Sequence, residues 1–296
     1  MLFFLHQKPK KILPILLLIL AMISIQSGAS LAKSLFPTIS ALGITTLRLF
    51  LATIILFIIF KPWRKKIHRH SLKDLFIYGI SLGLMNFLFY LSLERIPLGI
   101  VVALEFTGPL AVAMFSSRRP IDFLWISMII VGLTFLFPLG NKINNLDIIG
   151  ILYALSAGIC WGMYIIFGQR AGAGYGTETV ALGSFISTLI FFPISLFTIG
   201  VKQLLDFSIF PVSLAVAILS TAFPYTIEMF ALTRIPTKTF GALMSLEPAM
   251  GAFMGMIFLN EKLFFTQWLA LFFIVGASIG STLSIKKQKQ KIILKD

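Results

Sequence analysis

Apolar runs of about 20 residues follow one another along the whole chain and constrain its fold more than any other feature. A helix needs about 20 mostly apolar residues to cross a bilayer. The 296 residues are 58% hydrophobic and 12% charged. Globular domains average roughly a quarter charged residues, so these charges are too few to cover a soluble surface. The sequence predicts an all-α polytopic membrane protein.

Ten transmembrane helices are predicted, here called spans 1 to 10. Their approximate bounds are 12–31, 40–60, 74–93, 98–115, 121–139, 148–167, 179–199, 210–230, 237–258 and 265–285. A cleaved signal peptide is the alternative for span 1, because small residues at 28–30 resemble a cleavage site. Its full length and the spans that follow at once favour a retained helix.

Segments 93–113 and 232–252 resemble each other when one is shifted by 139 positions. Each has an Arg-Ile-Pro loop that leads into an apolar segment with a central proline. An offset near half the chain length indicates duplication. We therefore predict two five-helix repeats, residues 1–140 and 141–285, followed by a disordered basic cytoplasmic tail, 286–296.

The basic residues favour one side of the membrane. If both termini lie on the same side, the loops there hold 19 of the 25 lysines and arginines, and the opposite loops hold five. Basic loops stay cytoplasmic, so both termini are predicted to be cytoplasmic. Five spans per half then give the two repeats opposite orientations, as in secondary transporters.

Four charged residues lie clearly within the spans: Arg48, Glu105, Glu228 and Glu247. A buried charge in a bilayer is costly and marks a functional site by default. Arg48 and Glu105 lie at similar depth, so they can pair. We predict that Arg48, Glu105 and Glu247 bind substrate or couple transport. Glu228 lies near the cytoplasmic end of span 8 and is the weaker candidate.

Prolines accompany two of these glutamates. Pro109 frees the carbonyl of Glu105 and Pro248 frees that of Met244, which is the repeat equivalent of Glu105. Interrupted helices near the midplane hold the substrate in many transporters. We predict hinges at both prolines, and a purely packing role is the alternative.

Other polar and aromatic side chains form stripes at helical spacing. The candidates for a cavity lining, besides Glu228, are Gln26, Asn86, Tyr90, Trp161, Tyr164, Thr221 and Tyr225. Thr221, Tyr225 and Glu228 follow i, i+4, i+7 spacing and are expected to share one face of span 8. Interhelical hydrogen bonds or interfacial aromatics are the alternative explanation.

Several classes of protein and site are disfavoured. The single cysteine, Cys160, allows no intramolecular disulfide, and the three histidines have no metal-ligand spacing. No Walker motif is present, and the Gly-rich stretch 168–176 follows no strand, so a flexible connector is expected. No aspartate or histidine lies well inside a span, which argues against an intramembrane enzyme. The sequence therefore predicts no cofactor, metal or nucleic-acid partner.

The stretches VALEFTGPLAV, FSSRRP, LAVAILSTA and TFGALMSLEPA resemble the EamA-type drug/metabolite transporter superfamily, in particular its bacterial inner-membrane threonine and homoserine exporters. The resemblance implies ten helices and efflux of a small polar metabolite without ATP. It matches Arg48 and Glu247-Pro248 to family positions. Asn260 departs from the family, where many relatives have Gly-Glu at 260–261. Another metabolite or drug, and uptake instead of efflux, stay open, and a channel is less favoured.

An amino acid cargo suits these charges. Its ammonium group needs a carboxylate, from Glu105 or Glu247, and its carboxylate needs a cation such as Arg48. As a hypothesis, one glutamate also binds a proton that is exchanged for substrate. The expected partners are thus the substrate, protons and membrane lipids.

Overall fold

A computed structural model describes residues 12–64, 71–115, 120–136, 147–176, 178–204, 206, 208–232, 244 and 246–293. The regular structure in these ranges is helical, with no strand. The first seven helices are α1 Ile12–Ser34, α2 Ala41–Phe60, α3 Leu72–Leu93, α4 Leu98–Phe115, α5 Pro120–Leu136, α6 Ile148–Tyr175 and α7 Glu178–Ile199. They are followed by the short α8 Val201–Leu204, α9 Phe210–Ala217, α10 Phe223–Leu232, α11 Glu247–Leu259 and α12 Phe265–Ile293. A π-helical turn, Ile218–Ala222, joins α9 to α10.

Local sequence explains several helix ends. Ser40 accepts a hydrogen bond from the Gly43 N–H at 3.3 Å and caps α2. Asp147 accepts from the Ile149 N–H at 2.8 Å and caps α6. Both side chains satisfy an N–H group that has no partner within its helix. Asn260 ends α11 in the left-handed conformation, with φ 52°. Asparagine tolerates this conformation better than other non-glycine residues, which explains why it can replace glycine there.

Six helical stretches are long and apolar enough to cross a membrane: Leu16–Ser34, Ala41–Phe60, Leu72–Leu93, Ile148–Tyr175, Glu178–Ile199 and Phe210–Glu228. Four shorter apolar stretches accompany them: Leu98–Val112, Phe123–Gly132, Glu247–Leu259 and Phe265–Ala277. The protein is therefore an all-helical membrane protein with multiple spans.

Helices from the two halves of the chain pack against each other. α2 packs on α7, α4 on α11, and α5 on α12. α3 packs on α6, and α1 packs on the segment from α9 to α10. A Cβ atom at Gly99 of α4 would lie 2.5 Å from that of Ala252 on α11, so these two helices touch through small residues. Each of the five buried hydrophobic clusters in the described residues contains side chains from both halves of the chain.

Hydrogen bonds link chain segments at the end of the bundle where α1 leads into α2. Lys33 and Glu261 form an ion pair at 2.7 Å, and Glu261 also accepts from the Leu98 N–H at 2.9 Å. The Ala41 N–H donates to Glu94 at 2.8 Å. Arg95 pairs with Asp147 at 2.7 Å. Two of these carboxylates also cap the N-terminus of α2 or α4.

The ion pair between Arg95 and Asp147 changes the pKa of both groups. The hydrogen bond between them raises the pKa of Arg95 and is the main cause that lowers the pKa of Asp147. The pair therefore stabilises the charged form of each side chain. Because both groups are exposed, solvent screens most of this effect.

Three predicted elements differ from the structure. The Gly-rich stretch is not a connector, because α6 continues to Tyr175 and ends at Gly176. The basic tail is helical as far as Ile293, since α12 continues through it, so the expectation of disorder is wrong there. Span 8 contains the π-turn, which shifts the register of every residue after it.

The predicted start of span 9, residue 237, lies outside the described residues. Its described helix, α11, begins at Glu247, and Pro248 lies in its first turn. A proline at that position costs no helical hydrogen bond. Pro248 thus lies at the start of the described helix Glu247–Leu259. Residues 233–243 and 245 lie outside the described residues. Pro109, in contrast, lies inside α4 as expected.

Candidate functional site

A cavity of about 80 Å³ lies between helices of both halves. This is room for several water-sized groups, the size of a small metabolite. It is lined by Ile25, Gln26, Ala29, Arg48, Met85, Asn86, Phe89, Tyr90, Val102, Glu105, Trp161, Tyr164, Ser220, Tyr225, Glu228, Met244 and Glu247. The lining combines an apolar and aromatic wall with one arginine and three glutamates. This composition is typical of a site for a small ligand with polar or charged groups.

Arg48 of α2 is buried, and other helices hold its guanidinium group. It donates to the Ser220 hydroxyl at 3.0 Å and to the Asn86 side-chain oxygen. Asn86 is itself fixed, since its amide N–H donates to the Leu82 carbonyl at 2.7 Å. The guanidinium also lies 4.8 Å from the centre of the Tyr90 ring, a cation–π contact. Arg48 is therefore held in place by neutral groups.

No described carboxylate lies within ion-pair distance of Arg48. In particular, Arg48 and Glu105 line the same cavity but are not paired. The Nε–H of Arg48 is buried and has no hydrogen-bond partner. Because a buried donor without an acceptor costs about 1–3 kcal/mol, this part of the cavity suits a ligand that brings an acceptor.

Glu247 lies in the first turn of α11 and is 5% exposed. Its Oε1 accepts a long hydrogen bond, 3.4 Å, from the Gln26 amide of α1. Its Oε2 and the Gln26 Oε1 are both buried without a partner. Two adjacent acceptors without donors suit a ligand that brings N–H groups. The positive end of the α11 dipole favours a carboxylate at this position.

Glu105 lies on α4 at a close contact with α6. Pro109 has no N–H to donate to the Glu105 carbonyl, so this oxygen lacks its helical partner. A Cβ atom at Gly158 of α6 would lie 2.6 Å from the same oxygen, and only glycine lets the backbones approach so closely. The glycine therefore lets α6 cover the carbonyl that the proline leaves free. This close contact between α4 and α6 also fixes the position from which the Glu105 side chain enters the cavity.

The lining atoms without a hydrogen-bond partner include both donors and acceptors. Eight buried side-chain atoms in the described residues have no partner, and four of them belong to Gln26, Arg48, Tyr90 and Glu247. The Arg48 Nε–H is a donor, the Tyr90 hydroxyl is a donor and acceptor, and the oxygens of Gln26 and Glu247 are acceptors. The cavity thus has one part that suits an anionic group and another that suits a cationic group.

Most sequence candidates meet in this cavity: Gln26, Arg48, Asn86, Tyr90, Glu105, Trp161, Tyr164, Tyr225, Glu228 and Glu247. Thr221, Pro109 and Pro248 are not among its lining residues. Thr221 is buried in the π-turn.

Ser220, the main side chain that sequence reasoning missed, takes the place expected for Thr221. A π-turn has i→i+5 hydrogen bonds, so residue 220 and not residue 221 lies above Tyr225. The signal in the sequence was a hydroxyl inside an apolar span, but regular α-helical spacing selects its neighbour. The described residues contain no group of three or more His, Cys, Asp or Glu side chains that could hold a metal ion.

Comparison with known proteins identifies the family. The EamA-like transporter family matches residues 12–137 and again 148–283. The threonine/homoserine exporter RhtA of Salmonella typhimurium (strain SL1344) is 58% identical over 278 residues, and that of Escherichia coli (strain K12) is 57% identical. Each alignment covers 94% of both proteins. A crystal structure that is 18% identical superposes with a TM-score of 0.61 over 92% of this chain and 98% of the other, which supports the fold. The chain belongs to the EamA-like transporter family.

Proposed function

We propose that this protein exports threonine and homoserine across the bacterial cytoplasmic membrane as a secondary transporter. The observation that carries the proposal is the 57–58% identity, over 94% of each chain, to proteins named threonine/homoserine exporters. It is a transporter and not an enzyme, and no cofactor forms part of the proposal.

The cavity supports a zwitterionic cargo. In the proposed complex the substrate carboxylate accepts hydrogen bonds from Arg48, whose Nε–H has no partner. The ammonium group lies between Gln26 and Glu247, whose unpartnered oxygens are acceptors. Glu105 contributes a second carboxylate to the same cavity. Charge-assisted hydrogen bonds at both ends would select amino acids over metabolites that carry only one charge.

The proposed topology has ten spans in two inverted five-helix repeats, with both termini cytoplasmic. The halves are residues 1–140 and 141–285, and 286–296 form the cytoplasmic tail. Two observations support the repeat: the family matches each half separately, and one pair of helix ends lies at the offset of 139 residues. α2 ends at Phe60, and α7 ends 139 residues later at Ile199. The distribution of lysine and arginine supports the orientation.

Alternating access is the proposed mechanism, with hinges at Pro109 and Pro248. Pro109 weakens α4 beside Glu105, and Pro248 lies where α11 begins beside Glu247. A movement at either proline would therefore displace a charged residue of the cavity. Because α4 packs against α11, one movement could involve both prolines.

Proton exchange is the proposed coupling, with Glu247 as the coupling residue. A proton or an ammonium group can satisfy the unpartnered Glu247 Oε2, but both cannot occupy it together. Glu247→Gln in proteoliposomes should remove the dependence of transport on a pH gradient. Transport by this variant that still follows the pH gradient would exclude Glu247 as the coupling group.

The experiment that tests the function is efflux of preloaded radiolabelled threonine and homoserine from cells that lack their own exporters. Cells with this protein should lose label several-fold faster than cells with the Arg48→Ala variant at equal membrane abundance. Equal efflux in both would contradict the amino acid assignment. Saturation and acceleration by external threonine would separate a carrier from a channel.

A further inference from the structure

Tyr90 carries a buried hydroxyl group that the proposed binding of the zwitterion does not use. The residue lies on α3, lines the cavity and is 1% exposed. Its hydroxyl has no hydrogen-bond partner. The cost of such a group can be offset when a ligand supplies the missing hydrogen bond.

We propose that the Tyr90 hydroxyl binds the side-chain hydroxyl of the substrate and thereby sets the preference for hydroxylated amino acids. This inference rests on the proposed function and adds a residue that determines specificity. Threonine and homoserine share an amino acid backbone with many metabolites, and their side-chain hydroxyl distinguishes them from apolar amino acids of similar size. A tyrosine hydroxyl can donate to and accept from such a group.

Four other polar side chains of the lining already have partners or are assigned to the ammonium group, whereas the Tyr90 hydroxyl is buried without a partner. Asn86 and Ser220 already bind Arg48 and helix carbonyls. Gln26 and Glu247 offer acceptors and bind each other. Much of the remaining wall is apolar, including Ile25, Met85, Phe89, Val102 and Met244. A substrate hydroxyl placed against this apolar wall would lose its water without compensation, and a hydrogen bond from Tyr90 would offset that loss.

The position of Tyr90 also suits this role. Its ring lies under the Arg48 guanidinium, 4.8 Å from ring centre to carbon, so its hydroxyl is near the proposed carboxylate site. In threonine and homoserine the hydroxyl lies only a few bonds from the carboxylate. The ring edges also contact Phe36 and Phe89, with centroid distances of 6.2 and 5.3 Å. These contacts hold the ring, so the hydroxyl has a fixed place.

Competition in proteoliposomes tests the inference on the unaltered protein. In this assay, unlabelled 2-aminobutyrate, which lacks the hydroxyl of both substrates, is added as a competitor of labelled threonine uptake into the proteoliposomes. We expect half-inhibition to require a roughly tenfold higher concentration of 2-aminobutyrate than of threonine or homoserine, because a hydrogen bond is lost and the Tyr90 hydroxyl stays unpaired. Equal competition would overturn the inference while leaving threonine transport intact.

Tyr90→Phe tests the assignment to this residue, since it keeps the ring and its cation–π contact. The variant should lose about tenfold in transport efficiency for threonine and change by less than about twofold in affinity for 2-aminobutyrate. If Tyr90 had a purely structural role, the variant would bind both ligands more weakly by the same factor, and that result would overturn the proposal. Tyr153→Phe is the matched control, because Tyr153 does not line the cavity. Absence of threonine transport by the unaltered protein would instead refute the proposed function itself.

Discussion

The location of Arg48 in a buried cavity agrees with the sequence prediction, but its contacts could not be predicted. A charge inside an apolar span is enough by itself to indicate a functional residue. Its expected partner, Glu105, lies in the same cavity but forms no ion pair with it. Asn86, Ser220 and the Tyr90 ring hold the guanidinium instead. Depth along a helix can be counted from sequence, but the rotation of each helix depends on packing between distant segments.

Arg48→Lys should reduce transport although it preserves the charge. A lysine ammonium cannot reproduce the planar group that contacts Asn86, Ser220 and Tyr90 together. Loss of one hydrogen bond to a charged group is worth about 1.5–3 kcal/mol, which corresponds to a loss of roughly tenfold or more in transport efficiency. The measurement is initial threonine uptake into proteoliposomes at several concentrations. Arg95→Lys, at an exposed ion pair, is the control, and equal effects of both changes would refute the special role of Arg48.

At the scale of elements, the predicted spans agreed best where apolar runs have clear ends. Span 4 and α4 begin at the same residue, Leu98, and spans 2 and 7 differ from α2 and α7 by one residue at the start. Predictions failed where tertiary contacts override local composition. The glycines at 168–176 continue α6, and the π-turn at 218–222 places Ser220 in the cavity. Neither feature has a strong signal in local propensity, because packing against neighbouring helices decides both.

Gly158→Ala should destabilise the contact between α4 and α6. The new methyl group would lie 2.6 Å from the Glu105 carbonyl oxygen, which neither backbone can avoid without moving. Such overpacking typically costs about 1–3 kcal/mol. Gly172→Ala is the control on the same helix, since its Cβ would meet no atom closer than 4.0 Å. Thermal unfolding in detergent should show a lower Tm for the first variant alone, and equal Tm values would contradict the close contact.

Asn260 supports a second prediction about an element, the end of α11. Its φ of 52° is accessible to glycine and asparagine but strained for a β-branched residue. Asn260→Gly should therefore leave stability nearly unchanged, and Asn260→Val should cost about 1–2 kcal/mol. The same unfolding assay measures both. Equal stability of the valine and glycine variants would show that the left-handed cap is absent.

For the whole molecule, the apolar runs predicted the class, an all-helical membrane protein, and the proposed repeat predicts which helices correspond. The ends of α2 and α7, at Phe60 and Ile199, are separated by the same offset as the segments 93–113 and 232–252. The sequence did not reveal that the halves interlock, with α1 packed on the second half and α6 on the first. It could not do so, because a repeat identifies equivalent helices but does not state which copies touch. The cavity lies within this packing between the halves, since its lining residues come from both of them.

The proposed orientation makes a prediction about the termini. Green fluorescent protein fused after residue 296 should fluoresce, and alkaline phosphatase at the same position should be inactive, because both reporters would lie in the cytoplasm. Moving each reporter to a loop on the other side, after residue 142, should reverse both results. Active phosphatase at the C-terminus would contradict the inverted arrangement.

The central claim is that one cavity binds an amino acid between Arg48 and Glu247, and equilibrium binding of radiolabelled threonine to purified protein tests it most directly. The account predicts saturable binding that is weakened at least roughly tenfold by Arg48→Ala and by Glu247→Gln, in each case with a Tm near that of the unaltered protein. Arg95→Ala, outside the cavity, should bind threonine normally. Unchanged threonine binding in both cavity variants would contradict the claim.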